Sequence, residues 1–226
     1  NKYNNLDYFY INSFLLDTEF VLNFPQPFDL KNLPTGMERF SKWNHSGTVD
    51  FLDLINPEIS FDFLGGMFLS VFRREMWMKN KNVLDNEAIN SQKIFSHFDN
   101  TFPHVKIFAH AFSNSKAYFH ADPLSVCLSG AREWYYMYPL VKSVRLLEAL
   151  ETYHENGLKY HIYLRCKNFA LNNFIPDMGY MIFNKKKSGY EYINLLNLIR
   201  KNFLFPEFYF SLVRFIIRKL KIFFNL

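Results

Sequence analysis

Asp99 stands in the segment His97-Phe98-Asp99-Asn100-Thr101-Phe102-Pro103-His104. A carboxylate at the mouth of a helix can take the proton of a substrate hydroxyl. The same residue type at the same place also caps helices, and both readings stand. Four histidines, His97, His104, His110 and His120, surround it in sequence. Their spacing fits no zinc pattern, because there is no HExxH and no cysteine pair. His104, one turn from Asp99, can line the same site. Arg73, Arg74 and Arg132 are of the type that grips phosphate, with a solvated strand end as the alternative. Arg132 lies in Ser129-Gly130-Ala131-Arg132-Glu133-Trp134, a glycine-bearing loop with an aromatic. That composition suits a lid or a surface on which a sugar face stacks, with Trp134 as the platform; packing is the other use of such a ring. Gly65-Gly66 permits a tight turn or a close approach of backbone to ligand. The sequence has no GxGxxG, no P-loop and no serine elbow. Asp50-x-x-Asp53 has the wrong spacing for a DxD pair.

Local patterns predict the elements that must position these residues. Residues 6–22 alternate loosely and are rich in Tyr, Phe and Ile, which predicts a strand. Pro25, Pro27 and Pro34 predict a loop. A short helix is expected over Phe40–Ile55, a buried strand over Met67–Phe72 and a helix over Asp85–Phe98. Pro103 at a helix start, followed by the apolar positions Val105, Phe108, Ala109 and Phe112, predicts an amphipathic helix. A hairpin is expected with strands Ala117–His120 and Leu124–Leu128 about a turn at Ala121-Asp122-Pro123. Helices are expected over 139–155, 158–175, 190–204 and 207–224, with Lys185-Lys186-Lys187-Ser188-Gly189 as an exposed turn. Strands interleaved with helices, then a helical tail, give an α/β class.

The chain has 226 residues, 49% of them hydrophobic, 19% aromatic and 21% charged. This is enough apolar side chain for a sizeable core and argues against disorder. Residues 1–138 carry 12 Lys and Arg against 15 acids, whereas residues 139–226 carry 14 against six. A boundary between a mixed first part, 1–138, and a helical, basic second part, 139–226, is therefore expected near Tyr138-Pro139. Cys127 and Cys166 stand alone, which fits a reducing cytoplasm better than a disulfide framework. The pI of about 9.0 raises nucleic acid as a partner. The basic excess lies among large apolar side chains without a recognisable nucleic-acid pattern, and no such partner is expected.

Two stretches carry a family resemblance. Leu64-Gly65-Gly66-Met67-Phe68-Leu69-Ser70-Val71-Phe72-Arg73-Arg74-Glu75-Met76-Trp77, then His97 to His104, and then Tyr118-Phe119-His120-Ala121-Asp122-Pro123-Leu124-Ser125-Val126 follow one another in the order and at the spacing of a known group. The chain resembles the C-terminal half of bacterial family 2 glycosyltransferases of the GT-A fold. Within that family it looks like the abequosyltransferase-like sugar transferases of capsule and lipopolysaccharide biosynthesis. The resemblance covers about residues 6–136. It implies an α/β fold forming the acceptor side of a GT-A domain, followed by a helical extension. It implies transfer of a sugar, with inversion, from a nucleotide-sugar donor to a surface-polysaccharide or lipid-linked glycan acceptor. Asp99 matches the base, although Phe98 stands where the family has an acid. Gly65, Gly66, Arg73, His104, Arg132 and Trp134 fall on the substrate side. A divalent metal, Mn²⁺ or Mg²⁺, is implied for the full-length family member, whose nucleotide-binding strands and DxD ligands would precede Asn1. The alternative is a catalytically incomplete, membrane-associated fragment or assembly factor.

The tail from Phe208 to Phe224 is apolar yet carries Arg214, Arg218, Lys219 and Lys221 and no acid. On a helix, Arg214, Arg218 and Lys221 recur at i, i+4 and i+7 and form one stripe. Such a helix suits the interface of an anionic membrane and spans a bilayer poorly; docking on the protein's own core is the alternative. The expected location is therefore cytoplasmic and peripheral on the inner membrane, through residues 207–226.

Overall fold

The computed structural model describes residues 5–19, 36–129 and 134–223, the last three of these without their side chains. The proline loop between Pro25 and Pro34 and Arg132 lie outside the described residues. In chain order the elements are β1 (Tyr8–Asp17), β2 (Glu38–Arg39), β3 (Gly47–Asp50), β4 (Ser70–Phe72), α1 (Arg74–Asn80), α2 (Asn86–Ile89), α3 (Phe98–Thr101) and α4 (Pro103–Phe112). There follow β5 (Lys116–Ser129), α5 (Tyr138–Leu140), a π-helical stretch Val141–Arg145, α6 (Leu146–Glu155), α7 (Tyr160–Ala170), α8 (Phe174–Phe183), α9 (Leu195–Asn202) and α10 (Pro206–Phe223). The chain is α/β, with one mixed sheet in the order β2-β1-β5-β3 and β4 also paired to β1.

β1 is central. It runs parallel to β5 on one side and antiparallel to β2 and β4 on the other. A strand with neighbours on both edges is apolar along most of its length, as Tyr8-Phe9-Tyr10-Ile11 and Phe14-Leu15-Leu16 are. The expected hairpin at 117–128 is instead the single strand β5. Its ladder with β1 slips between Ile11↔His120 and Ser13↔Ser125. Residues 121–124 therefore bulge opposite Asn12, and Pro123, which has no N–H to give a ladder, sits in that bulge. The buried Asn12 side chain holds the irregularity. Its amide donates to the carbonyls of Ala121 (2.9 Å) and Ser41 (3.1 Å), and its oxygen accepts from Ser41 N (2.9 Å).

Three further expectations are corrected. Phe40–Ile55 is not a helix: it holds β3 and a single 3₁₀ turn at Phe51–Leu54, with Asp50 at the end of β3 paired to Lys116 of β5. Met67–Phe72 is a 3₁₀ turn and a three-residue strand, with Met67, Phe68 and Val71 exposed. Only Asn86–Ile89 of the helix expected at 85–98 forms, capped by Asp85. The amphipathic helix at Pro103 is present as α4, with Val105, Phe108, Ala109 and Phe112 buried. Helix α8, unforeseen, continues where the helix expected over 158–175 was to end.

The core lies between the sheet and helices α4 and α6. Tyr8 meets Phe51 (4.9 Å) and Phe108 (5.3 Å) edge to face, and Phe51 reaches Tyr153 of α6. Buried residues from Tyr8 to Met181 form one cluster. The change of composition near residue 138 thus marks a change of secondary structure within one continuous core. Cys166 Sγ donates to Ile55 O, and Arg145 donates to the carbonyls of Phe95 and Ser96, which ties the helical part to the first.

Candidate functional site

The turn at residues 59–66 is built with unusual backbone. Phe63 and Leu64 both have positive φ, 49° and 66°. For residues with a side chain this costs about 1–2 kcal/mol each. Both side chains are fully buried, and that burial offsets the strain. Hydrogen bonds fix the rest. Tyr10 Oη donates to Ile59 O (3.1 Å), Ser60 Oγ donates to Asp62 Oδ1 (2.7 Å), and Leu64 N donates to Ser60 Oγ (2.9 Å). Burial, with the nearby Asp62 carboxylate adding to it, pushes the Tyr10 phenol up, so it stays a neutral donor.

His104 locks the far end of the turn. Its Nε2 donates to Gly65 O at 3.0 Å, and its ring packs between Phe102 and Phe108. Burial pulls its pKa down to about 4, which keeps the ring neutral. Close approach favours glycine at Gly65, where a Cβ would stand 3.0 Å from the backbone Asp62 O and 3.1 Å from the Phe102 ring; a Cβ on Gly66 would meet only side-chain ends, Phe68 at 2.8 Å and Asp62 Oδ2 at 3.0 Å.

The turn forms one wall of a cleft of about 620 Å³. Gly65, Gly66 and Phe102 lie on this wall, and Val141 and Lys142 of the π-helical stretch lie on the lining as well. Departures to π geometry recur at functional sites, where they re-aim side chains. Most of the lining is apolar or aromatic. Its polar positions include Asp62, Lys142, Asn172 and Asn173. Trp134 also lines the cleft and is firmly seated: its ring lies 4.8 Å from Phe95, whose own positive φ of 62° is held by the Arg145 guanidinium on Phe95 O.

The structure thus brings Gly65, Gly66 and Trp134 together at one cleft, with His104 behind the glycine turn. Asp99 and Arg73 are elsewhere. Asp99 is the second residue of α3, whose cap is His97, and is only 1% exposed. Its Oδ2 accepts from Lys106 Nζ (2.7 Å) and from Asp85 N (2.6 Å), while Oδ1 is buried with no hydrogen-bond partner among the described residues. In this arrangement the carboxylate staples α2, α3 and α4 together. Arg73 pairs with Asp7 (2.8 Å) and donates to Leu6 O (3.2 Å), clamping the start of β1. Asp62 and Lys142 were not singled out from the sequence. The strained pair beside Gly65-Gly66 is the feature that marks Asp62, and no local pattern shows it.

No three His, Cys, Asp or Glu side chains converge among the described residues. Asp62 is the sole carboxylate among the described residues that line the cleft. These lining residues do not make a divalent-metal site. No family model, curated protein or solved structure matches this chain.

Proposed function

We propose that the chain is the acceptor-side part of a GT-A-like, inverting glycosyltransferase, and that its cleft holds a sugar attached to an apolar carrier. The observation that carries this reading is the lining of the cleft, apolar over most of its extent and polar at a few fixed positions. An apolar ligand alone would cover the polar positions Asp62, Lys142, Asn172 and Asn173 without bonding to them. A free sugar would leave the aromatic surface wet. A glycan on a lipid-like chain suits both. Trp134 offers a face for the sugar ring.

For transfer, the acceptor hydroxyl oxygen bonds to the anomeric carbon of the nucleotide-sugar. Its proton passes to the Asp62 carboxylate, and the nucleoside diphosphate leaves with the electron pair of the broken carbon–oxygen bond. The Lys142 cation balances the negative charge that gathers at the site. Asp62 is favoured as the base over Asp99 because a base must reach the proton it takes, and Asp62 faces the cleft.

Calorimetric titration with octyl β-glucoside below its micellar concentration tests the reading, with glucose as the comparison. The glucoside is expected to bind more tightly than glucose, and Trp134→Ala is expected to weaken it about ten-fold, the scale of one aromatic face. Equal affinity of the two proteins, or no binding to either, contradicts it.

A further inference from the structure

Helix α10 shows its apolar side to the outside. Its inner side is fixed by specific contacts: Ser211 Oγ accepts from Ile175 N (3.0 Å), the Phe208 ring lies tilted 5.6 Å from Phe174, and Arg214 donates to Asn172 O (2.8 Å) while pairing with Glu207. The opposite side carries Tyr209, Phe210, Val213, Ile216, Ile217 and Leu220, each between 47% and 57% exposed. An ordinary surface helix hides its apolar stripe and shows its charges. In α10, Arg214 is turned inward and half a dozen large apolar side chains point away from the core, with no described residue covering them. A contiguous patch of that kind is an interface.

We propose that this outward face of α10 seats in the surface of an anionic lipid membrane, with the helix lying in the plane of the interface. Charge selects this occupant. Residues 139–226 hold 14 Lys and Arg against six acids, so a second copy would bring like charges together, whereas anionic headgroups neutralise them. Lys219 stands exposed at the edge of the apolar face with its Nζ 5.6 Å from the Phe215 ring, its stem along apolar surface and its charge free to reach a headgroup. The helix lies flat and does not span: no described helix is long and apolar enough to cross a bilayer. The Arg214 bond to Asn172, a residue of the cleft lining, holds α10 beside the cleft. Docking therefore presents the cleft to lipid-borne molecules; that consequence rests on the transferase reading, whereas the docking itself does not.

The test is co-sedimentation of the 226-residue chain with vesicles of equimolar phosphatidylcholine and phosphatidylglycerol, against phosphatidylcholine alone. The chain is expected to bind the anionic vesicles, more weakly as salt rises, and to leave the neutral ones largely unbound. Phe210→Ser with Ile217→Ser is expected to lower binding on the order of thirty-fold. Lys219→Gln is expected to lower it about five-fold. All three side chains are exposed, so circular dichroism and melting should match the wild type. Undiminished binding by the double variant, or indifference to headgroup charge, overturns the proposal. A dimer in sedimentation that the double variant abolishes, with no vesicle binding, also overturns it and gives the face to a second copy.

Discussion

Asp62→Asn is expected to cut sugar transfer by about 10²–10⁴-fold, the usual cost of losing a general base, while the melting temperature stays at the wild-type value. The asparagine oxygen can still accept from Ser60 Oγ, so the turn keeps its hydrogen bond. Asp99→Asn is expected to behave in the opposite way. It leaves Lys106, whose side chain is only 25% exposed, without its counter-charge, and it weakens the staple on Asp85 N. The expected loss is about 2 kcal/mol of stability, with transfer reduced only in proportion to the unfolded fraction. The two variants are compared by nucleoside diphosphate release from nucleotide-sugars in a full-length form that also carries the donor-binding part, with octyl glucoside as acceptor, and by urea unfolding of the 226-residue chain. Normal turnover in Asp62→Asn together with a stable but inactive Asp99→Asn would return the role of base to Asp99.

Acid is expected to destabilise the fold through His104. Its ordinary pKa is 6.5, and in the folded protein burial lowers it to about 4. Below pH 6.5 the unfolded chain takes up a proton that the native ring refuses until about pH 4. Across that window protons favour the unfolded state, so stability is complete above pH 6.5 and falls as pH drops toward 4. The size of this contribution is about 3 kcal/mol. His104→Gln keeps a donor for Gly65 O without a titrating ring. Urea midpoints measured from pH 7 to pH 4 should fall more steeply for the wild type than for this variant. Parallel slopes would show that His104 titrates alike in both states.

Local chemistry made part of this architecture legible. Pro103 with Val105, Phe108, Ala109 and Phe112 is a complete helix signature in ten residues, and α4 forms where it predicts. The change near Tyr138 to helices throughout is likewise written in the sequence. What was illegible depends on partners distant in the chain. The turn read at Pro123 is a bulge because Asn12, more than a hundred residues earlier, supplies the hydrogen bonds that let β5 continue. The stretch 40–55 became β3 and loop because β5 offered an edge and Asn12 took the Ser41 backbone. The tail shows the same limit. The tail forms a helix as expected, but Asn172 and Glu207 draw Arg214 inward, and that leaves the apolar side outermost. The candidate site was legible only in where some of its residues gather. Gly65, Gly66, His104 and Trp134 converge on the cleft or its supporting turn. Asp62 stayed hidden because its exposure to the cleft comes from two left-handed residues that only the buried core can hold in place.

Photolabelling with an alkyl glucoside that carries a diazirine in its chain, followed by peptide mapping of the intact 226-residue protein, tests the cleft most directly. Label is expected in residues 61–68, 134–146 and 169–173, the three stretches that supply most of the cleft lining, and excess octyl glucoside should suppress it. Label confined to α10 or spread over the surface, with those three segments unmarked and no suppression by the competitor, would contradict the account.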